Sequence, residues 1–172
     1  QEFAKVQPHR LDEGPTAEAM ARAGVEQPLR VLAAGALLDR AHMVAARQIA
    51  RTYEAVVSSL MARAVRNDSA GRAPQGTWRG AFAGMSDGQW DLYQHVYLPW
   101  AGGLTLRSPA ALPITIDVVV EGRSIYETSR HHHRAWETVA ETVAMALHRW
   151  AEERQAWRER CRIAEDRARQ GS

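Results

Sequence analysis

Apolar side chains recur every three or four positions along most of this chain, and this spacing predicts an all-α fold. Two stretches show it best, residues 28–66 and residues 122–169. Acidic and arginine side chains occupy the positions between the apolar ones, as they do on partly exposed helices. The apolar positions are Leu38, Ala45, Ile49, Tyr53, Val56, Leu60 and Ala64 in the first stretch, and Val143, Leu147, Trp150, Trp157, Cys161 and Ala164 in the second.

Glycine and proline interrupt this helical pattern and suggest how the chain is organised. Residues 1–27 are rich in both and predict a flexible arm with at most one short helix, at 16–23. Residues 67–85 are dominated by glycine, alanine and proline, which predicts a linker. We therefore expect an N-terminal helical module at 28–66 that docks a protein partner. A C-terminal helix-turn-helix module with a long terminal helix is expected at 86–169.

The segment between the linker and the helix-turn-helix gives mixed local signals. Ser86 and Asp87 predict the start of a helix, and Pro99 predicts its end. A turn-rich passage is expected at 101–113. The β-branched run at 114–121 has strand propensity. The motif that follows it nevertheless favours a helix here.

The most informative stretch begins where this apolar run ends. Gly122 is suited to the left-handed conformation that closes a helix. Ser124 and Glu127 form the S-x-x-E pattern of a capping box, in which each side chain bonds the other's backbone N–H. A break is expected at 131–134, followed by a second helix. The buried face of that helix is predicted to comprise Val139, Val143 and Leu147.

This stretch resembles the helix-turn-helix of region 4 of bacterial sigma factors, and of response regulators that carry the same type of motif. The resemblance covers about a quarter of the chain and depends on Glu121-Gly122, Ser124, Glu127, Thr138-Val139, Ala146-Leu147 and Arg149. It implies binding to double-stranded promoter DNA. Residues expected to face the major groove are Arg134, Trp136, Glu137, Thr138 and Glu141. Arg123 and Arg130 are expected to contact phosphates, with Ser124 among the DNA-binding residues.

Three positions depart from the pattern of these families. Thr128 and Ser129 occupy places where an apolar residue and alanine are usual, which weakens the expected packing of the first short helix. His133 stands where glycine is common in the turn.

Trp136 suits either packing between helices or stacking on sugars and base methyl groups, and we expect packing.

A looser resemblance links the chain to phage-derived regulators of alphaproteobacteria, including the gene transfer agent activation factors. It depends on Tyr93, on Tyr97-Leu98-Pro99-Trp100, and on an apolar helix followed by Glu121-Gly122-Arg123-Ser124. This similarity implies a transcription activator of phage-like genes that works together with RNA polymerase or another regulator.

Composition and charge limit the mode of DNA binding. The chain has 22 basic and 20 acidic residues, so its net charge is only +2. Binding by bulk positive charge is therefore excluded. Lys5 is the only lysine, so nearly all basic residues are arginines. Arginine is the better forked donor to phosphate and guanine, although a GC-rich genome would give the same bias.

One cysteine, Cys161, fits a reducing cytoplasm, and no apolar run is long enough for a membrane span.

Other classes of function have weaker support in the sequence. His131-His132-His133 invites a metal site, but consecutive side chains on a helix lie about 100° apart and three of them cannot converge on one ion. No nucleophile elbow, phosphate loop or dinucleotide fingerprint is present, so we expect neither an enzyme nor a cofactor. The alternatives are an oligomeric phage-type DNA-packaging adaptor, similar to a small terminase subunit, and a helical adaptor that binds protein and no DNA.

Overall fold

The computed structural model of this protein describes residues 28–30, 32–33, 37–70 and 84–170. The predicted arm at 1–27 and most of the predicted linker lie outside the described residues. Every element in the described part is helical and none is a strand, which confirms the all-α prediction. The helices are α1 (Arg40–Ala70), α2 (Asp87–Leu92), α3 (Leu98–Arg107), α4 (Ala111–Val119), α5 (Ile125–His132) and α6 (Trp136–Gln170), with a π-helical segment Tyr93–Tyr97 between α2 and α3.

Helix α1 begins at a side-chain cap and ends later than the sequence predicts. The Asp39 carboxylate accepts a hydrogen bond from the backbone N–H of His42, at 2.9 Å. This bond, helped by the His42 side chain, holds the pKa of Asp39 below its ordinary value. At the other end α1 continues to Ala70, past the stop predicted at residue 66. Asn, Asp and Ser weaken a helix only modestly, so a short run of them need not end it.

Pro99 does not end a helix, contrary to the prediction. Ser86 and Gln89 form a capping box at the start of α2, and the helical path then continues through the π-helical segment Tyr93–Tyr97 into α3. The Leu98 N–H donates to the Tyr93 carbonyl, five residues earlier, so this turn is wider than an α-helical one. Pro99 thereby falls in the first turn of α3, where the missing N–H costs little.

The β-branched run before the helix-turn-helix is helical, as expected from its context. Helix α4 ends at Val119, and the Arg123 N–H donates to the Asp117 carbonyl at 2.9 Å beyond it. Gly122 has a φ of 67°, which confirms its left-handed conformation. A side chain at this position would be strained, so glycine fits the end of the helix.

Both stretches of apolar residues contribute to a single hydrophobic core. Trp100 of α3 and Trp150 of α6 lie edge to face at 5.4 Å between ring centroids and are almost fully buried. The Trp100 indole N–H donates to the Ala146 carbonyl at 2.8 Å. The Trp150 indole N–H donates to the Gln48 side-chain oxygen at 3.0 Å, which ties α1 to α6. Buried residues on both sides of the expected linker thus belong to one cluster.

An aromatic group in this core stays uncharged at neutral pH. Tyr97 packs against both Trp100 and Trp150. Burial, followed by the neighbouring phenols of Tyr53 and Tyr93, raises the pKa of Tyr97 to about 12. The phenol therefore contributes to the core as a neutral ring.

The predicted seam of the terminal helix is buried only over its first part. Val143, Leu147 and Trp150 are fully buried, while Trp157 is half-buried and stacks on His95 at 6.4 Å between centroids. Cys161 and Ala164 are exposed, since the described residues provide no helix opposite them. Neither α6 nor any other helix in the described ranges combines the length and the apolar content of a membrane span.

Candidate nucleic-acid interface

Helices α4, α5 and the start of α6 form a three-helix unit around a small apolar centre. Val119 of α4 and the predicted face of α6, Val139 and Val143, are fully buried. Ile125 of α5 is partly buried against the same core. The packing expected of a helix-turn-helix is therefore present, with α5 as the first helix and α6 as the second.

The first helix begins with the predicted capping box. The Glu127 N–H donates to Ser124 Oγ at 3.2 Å, and the Ser124 N–H donates to Glu127 Oε2 at 2.9 Å. The bond from the Ser124 N–H to the Glu127 carboxylate, and after it the bond from the Ser124 hydroxyl, hold the pKa of Glu127 below its ordinary value. The Ser124 hydroxyl donates its hydrogen to Glu127 Oε2 at 2.8 Å. Its structural role is thus to cap α5, and its hydrogen is already used within the protein.

The corner between α5 and α6 depends on a histidine in a left-handed conformation. His133 has φ 51° and ψ 46°, the only positive φ among the described non-glycine residues. The Arg134 N–H donates to the Ser129 carbonyl at 3.0 Å, and Ser129 Oγ donates to the Arg134 carbonyl at 2.7 Å. Ser129, expected from the sequence to weaken the packing, therefore fastens the turn.

Replacing His133 with glycine is expected to stabilise the protein by about 0.5–1 kcal/mol, because glycine adopts a left-handed conformation without strain from a Cβ. Replacing it with valine should destabilise the protein, because a β-branched residue tolerates positive φ poorly. Urea unfolding followed by circular dichroism measures both effects. Equal stability of the two variants would contradict the strained corner.

The residues expected to face the major groove lie on one exposed surface at the start of α6. All five are exposed, and Glu137, Thr138 and Glu141 lie on other faces of α6 than the buried Val139 and Val143. Trp136 is 55% exposed, so the expectation that it packs between helices is wrong. These residues, the recognition surface, are Arg134, Trp136, Glu137, Thr138 and Glu141.

The N-terminus of α6 offers backbone donors beside this surface. The Val139 N–H donates to the Ala135 carbonyl at 3.1 Å, which places Ala135 at the start of the helix. Alanine has no side-chain acceptor for the N–H groups of the first turn. Such N–H groups bind anions well, and phosphates in particular.

Two flanking arginines differ in how freely they can contact phosphate. Arg123 is paired with Asp117, with 3.0 Å between Nη1 and Oδ2, and its side chain is 43% exposed. Arg130 is exposed and lies over the ring of Tyr126, with 6.0 Å between the guanidinium carbon and the ring centroid. Tyr126 is 67% exposed and was not foreseen from the sequence. Its place directly after Ile125, about 100° further round α5, is the signal that could have indicated it.

A cluster of ionisable side chains connects α4 to the end of α5. Asp117 Oδ2 lies 3.0 Å from His132 Nε2. The ring of His131 lies edge to face against that of His132, at 4.9 Å between centroids. His133, at the corner, does not belong to this cluster. Sequence reasoning missed Asp117, although a single carboxylate within the apolar run ITIDVVV could have indicated it.

Comparison with protein-family models, with curated proteins and with solved structures gives no match to this chain.

Proposed function

We propose that this protein is a DNA-binding transcription regulator that presents α6 to the major groove of promoter DNA. The observation that supports it most is the corner at His133, which joins a capped α5 to an α6 whose first turn is exposed. The unit buries its apolar residues on the inner face and leaves forked and hydrogen-bonding side chains on the outer one. A second helix exposed at its N-terminal end is what base contact in a helix-turn-helix requires.

Four residues of the recognition surface have a chemical task in this proposal. Arg134 donates to guanine, and Glu137 or Glu141 accepts from the amino group of cytosine. The exposed ring of Trp136 contacts sugars or thymine methyl groups. Phosphates on either side are held by Arg130 and by the N–H groups at the start of α6.

The mixed charge of this region favours modest affinity for DNA alone. Glu127, Glu137 and Glu141 oppose the phosphates that Arg130 and Arg134 attract. We therefore propose that a protein partner helps to hold the regulator on its site. RNA polymerase or another regulator fits this role, and activation of phage-like genes is the process that the sequence resemblances suggest.

A cleft between α1 and α6 suits such a partner. Its apolar floor includes Val44, Ala45 and Trp150. Arg40 of α1, with Arg154 and Arg158 of α6, also lines it. An apolar floor with guanidinium groups around it complements an amphipathic, acidic segment of a protein partner. One side of this cleft is formed by α1, in the module that the sequence predicts to dock a partner.

Replacing Arg134 or Glu137 with alanine should weaken binding to the preferred sequence by at least about tenfold, because each removes a contact to a base edge. Selection from a promoter-fragment library, followed by titration of the selected site, measures this effect. Arg130→Ala should instead weaken all sequences alike and lower the salt slope by about one unit. Arg160→Ala, at an exposed position far along α6, is the matched control and should bind as the parent does.

Several outcomes would overturn the assignment. Absence of sequence-selective binding by the parent would favour an adaptor that binds protein alone. Equal binding by the parent, Arg134→Ala and Glu137→Ala would show that this surface does not contact bases. A stable ring of eight or more subunits in light scattering would favour the packaging adaptor.

A further inference from the structure

We propose that Asp117, His131 and His132 form a site for a divalent transition-metal ion that fastens α5 to α4. One ligand atom from each residue can be chosen so that all three lie within 4.8 Å of one another. The three residues belong to two helices that only the fold brings together. This inference goes beyond DNA binding, and its test needs no DNA.

The geometry is close to that of a bound site. Asp117 and His132 are each 15% exposed at the side chain, and their ligand atoms are already 3.0 Å apart. Ligand atoms around a tetrahedral zinc ion lie about 3.3 Å from one another, given bonds of about 2.0–2.1 Å. The remaining adjustment is a change of side-chain torsions at His131, which is exposed.

Three consecutive histidines on a helix cannot converge on one ion, but this site uses only two of them. His133, at the left-handed corner, is not among the three residues whose ligand atoms lie together. The third ligand comes from Asp117, which is 14 residues before His131 in the chain. Two imidazoles and one carboxylate suit Zn²⁺, Co²⁺, Ni²⁺ or Cu²⁺ and do not suit Mg²⁺ or Ca²⁺.

A bound ion would act at the base of the helix-turn-helix. It would hold the C-terminal end of α5 against α4 and so fix the orientation of α6 relative to these two helices. The same carboxylate pairs with Arg123, and a cation on it would take the place of the guanidinium. Release of Arg123 toward a phosphate then follows, a consequence that rests on the proposed function.

Calorimetric titration of the tag-free full chain with ZnCl₂, after treatment with a chelator, tests the site directly. The parent should bind one ion, and Co²⁺ should give the visible absorption of a site with nitrogen and oxygen ligands. His131→Gln and Asp117→Asn should each weaken binding by at least about tenfold, since each removes a ligand. His133→Asn is the matched control, because asparagine tolerates the left-handed conformation and His133 is not a ligand.

The variants separate a metal site from a structural cluster. His131 is exposed, so His131→Gln should fold as the parent does even if Asp117→Asn is destabilised by loss of its ion pairs. Thermal unfolding without metal checks this point, and Zn²⁺ should raise the melting temperature of the parent but not of His131→Gln. No binding by the parent, or the same affinity in His131→Gln, would overturn the proposal. Equal weakening in His133→Asn and His131→Gln would show unspecific binding to the histidine run and would also overturn it. Failure here leaves the DNA-binding proposal intact.

Discussion

Replacing Trp150 with alanine is expected to lower the free energy of unfolding by about 3–5 kcal/mol. Trp150 is fully buried where α1, α3 and α6 meet. Its ring packs edge to face on Trp100, and its indole N–H bonds the Gln48 side chain. The variant would therefore lose a large apolar contact, leave a cavity, and deprive Gln48 of its partner. Because domains are typically stable by only about 5–15 kcal/mol, much of the protein should unfold at moderate temperature.

Urea unfolding followed by far-ultraviolet circular dichroism measures this loss, since helix content reports on the whole fold. Trp136→Ala is the matched control, because it makes the same change at a side chain that is 55% exposed. It should alter stability by no more than about 0.5 kcal/mol. Similar losses in the two variants would show that Trp150 is not the centre of the core.

Replacing Thr128 with valine is expected to raise the free energy of unfolding by about 1–3 kcal/mol. Thr128 is fully buried in the first helix of the helix-turn-helix, and its Oγ1 has no hydrogen-bond partner among the described residues. Valine has nearly the same shape but carries a methyl group instead of the hydroxyl. The substitution would thus remove a desolvated polar group without creating a cavity.

Thr115→Val is the matched control for this prediction. Thr115 is also fully buried, but its Oγ1 donates to the Ala111 carbonyl at 2.8 Å. Removing a satisfied hydroxyl should leave stability unchanged or lower it by about 1 kcal/mol. Urea unfolding of both variants gives the comparison. Stabilisation of Thr115→Val, or destabilisation of Thr128→Val, would contradict the contrast between the two hydroxyls.

The features that the sequence predicts well are those set by neighbouring residues. The capping box of Ser124 and Glu127 and the left-handed Gly122 need only a few residues to form, and both are confirmed. The buried face of α6 follows from helical periodicity, so Val139 and Val143 are fully buried as predicted. The remaining faces of the same helix are then expected to be exposed.

The features that the sequence does not predict depend on contacts between distant residues. The bond from Trp150 to Gln48 joins positions 102 residues apart, so no local pattern could show that α1 shares the core of the helix-turn-helix. Pro99 has the usual meaning of a stop signal, and only the wider π-helical turn before it allows the helix to continue. Asp117 and His132 meet because α4 and α5 fold back on each other.

For the candidate site, the sequence predicts which residues are exposed better than it predicts what each side chain contacts. The exposure of Arg134 and Glu137 agrees with the expectation. Trp136 is expected to pack, because tryptophan usually does, yet it is 55% exposed at the start of α6. The ion pair of Arg123 with Asp117 could not be foreseen, since it depends on how α4 ends.

The length of α6 has a consequence for any assembly that this protein joins. One continuous helix of 35 residues carries the recognition surface at its start and part of the partner cleft further along, at Arg154. With a rise of about 1.5 Å per residue, positions 136 and 154 are about 27 Å apart along the axis. In the proposed function this helix sets a fixed distance between the DNA and the protein partner. Consider a promoter with about 5 base pairs, half a turn of DNA, inserted between the site of the recognition surface and the site of the partner. The two sites would then face opposite sides of the duplex.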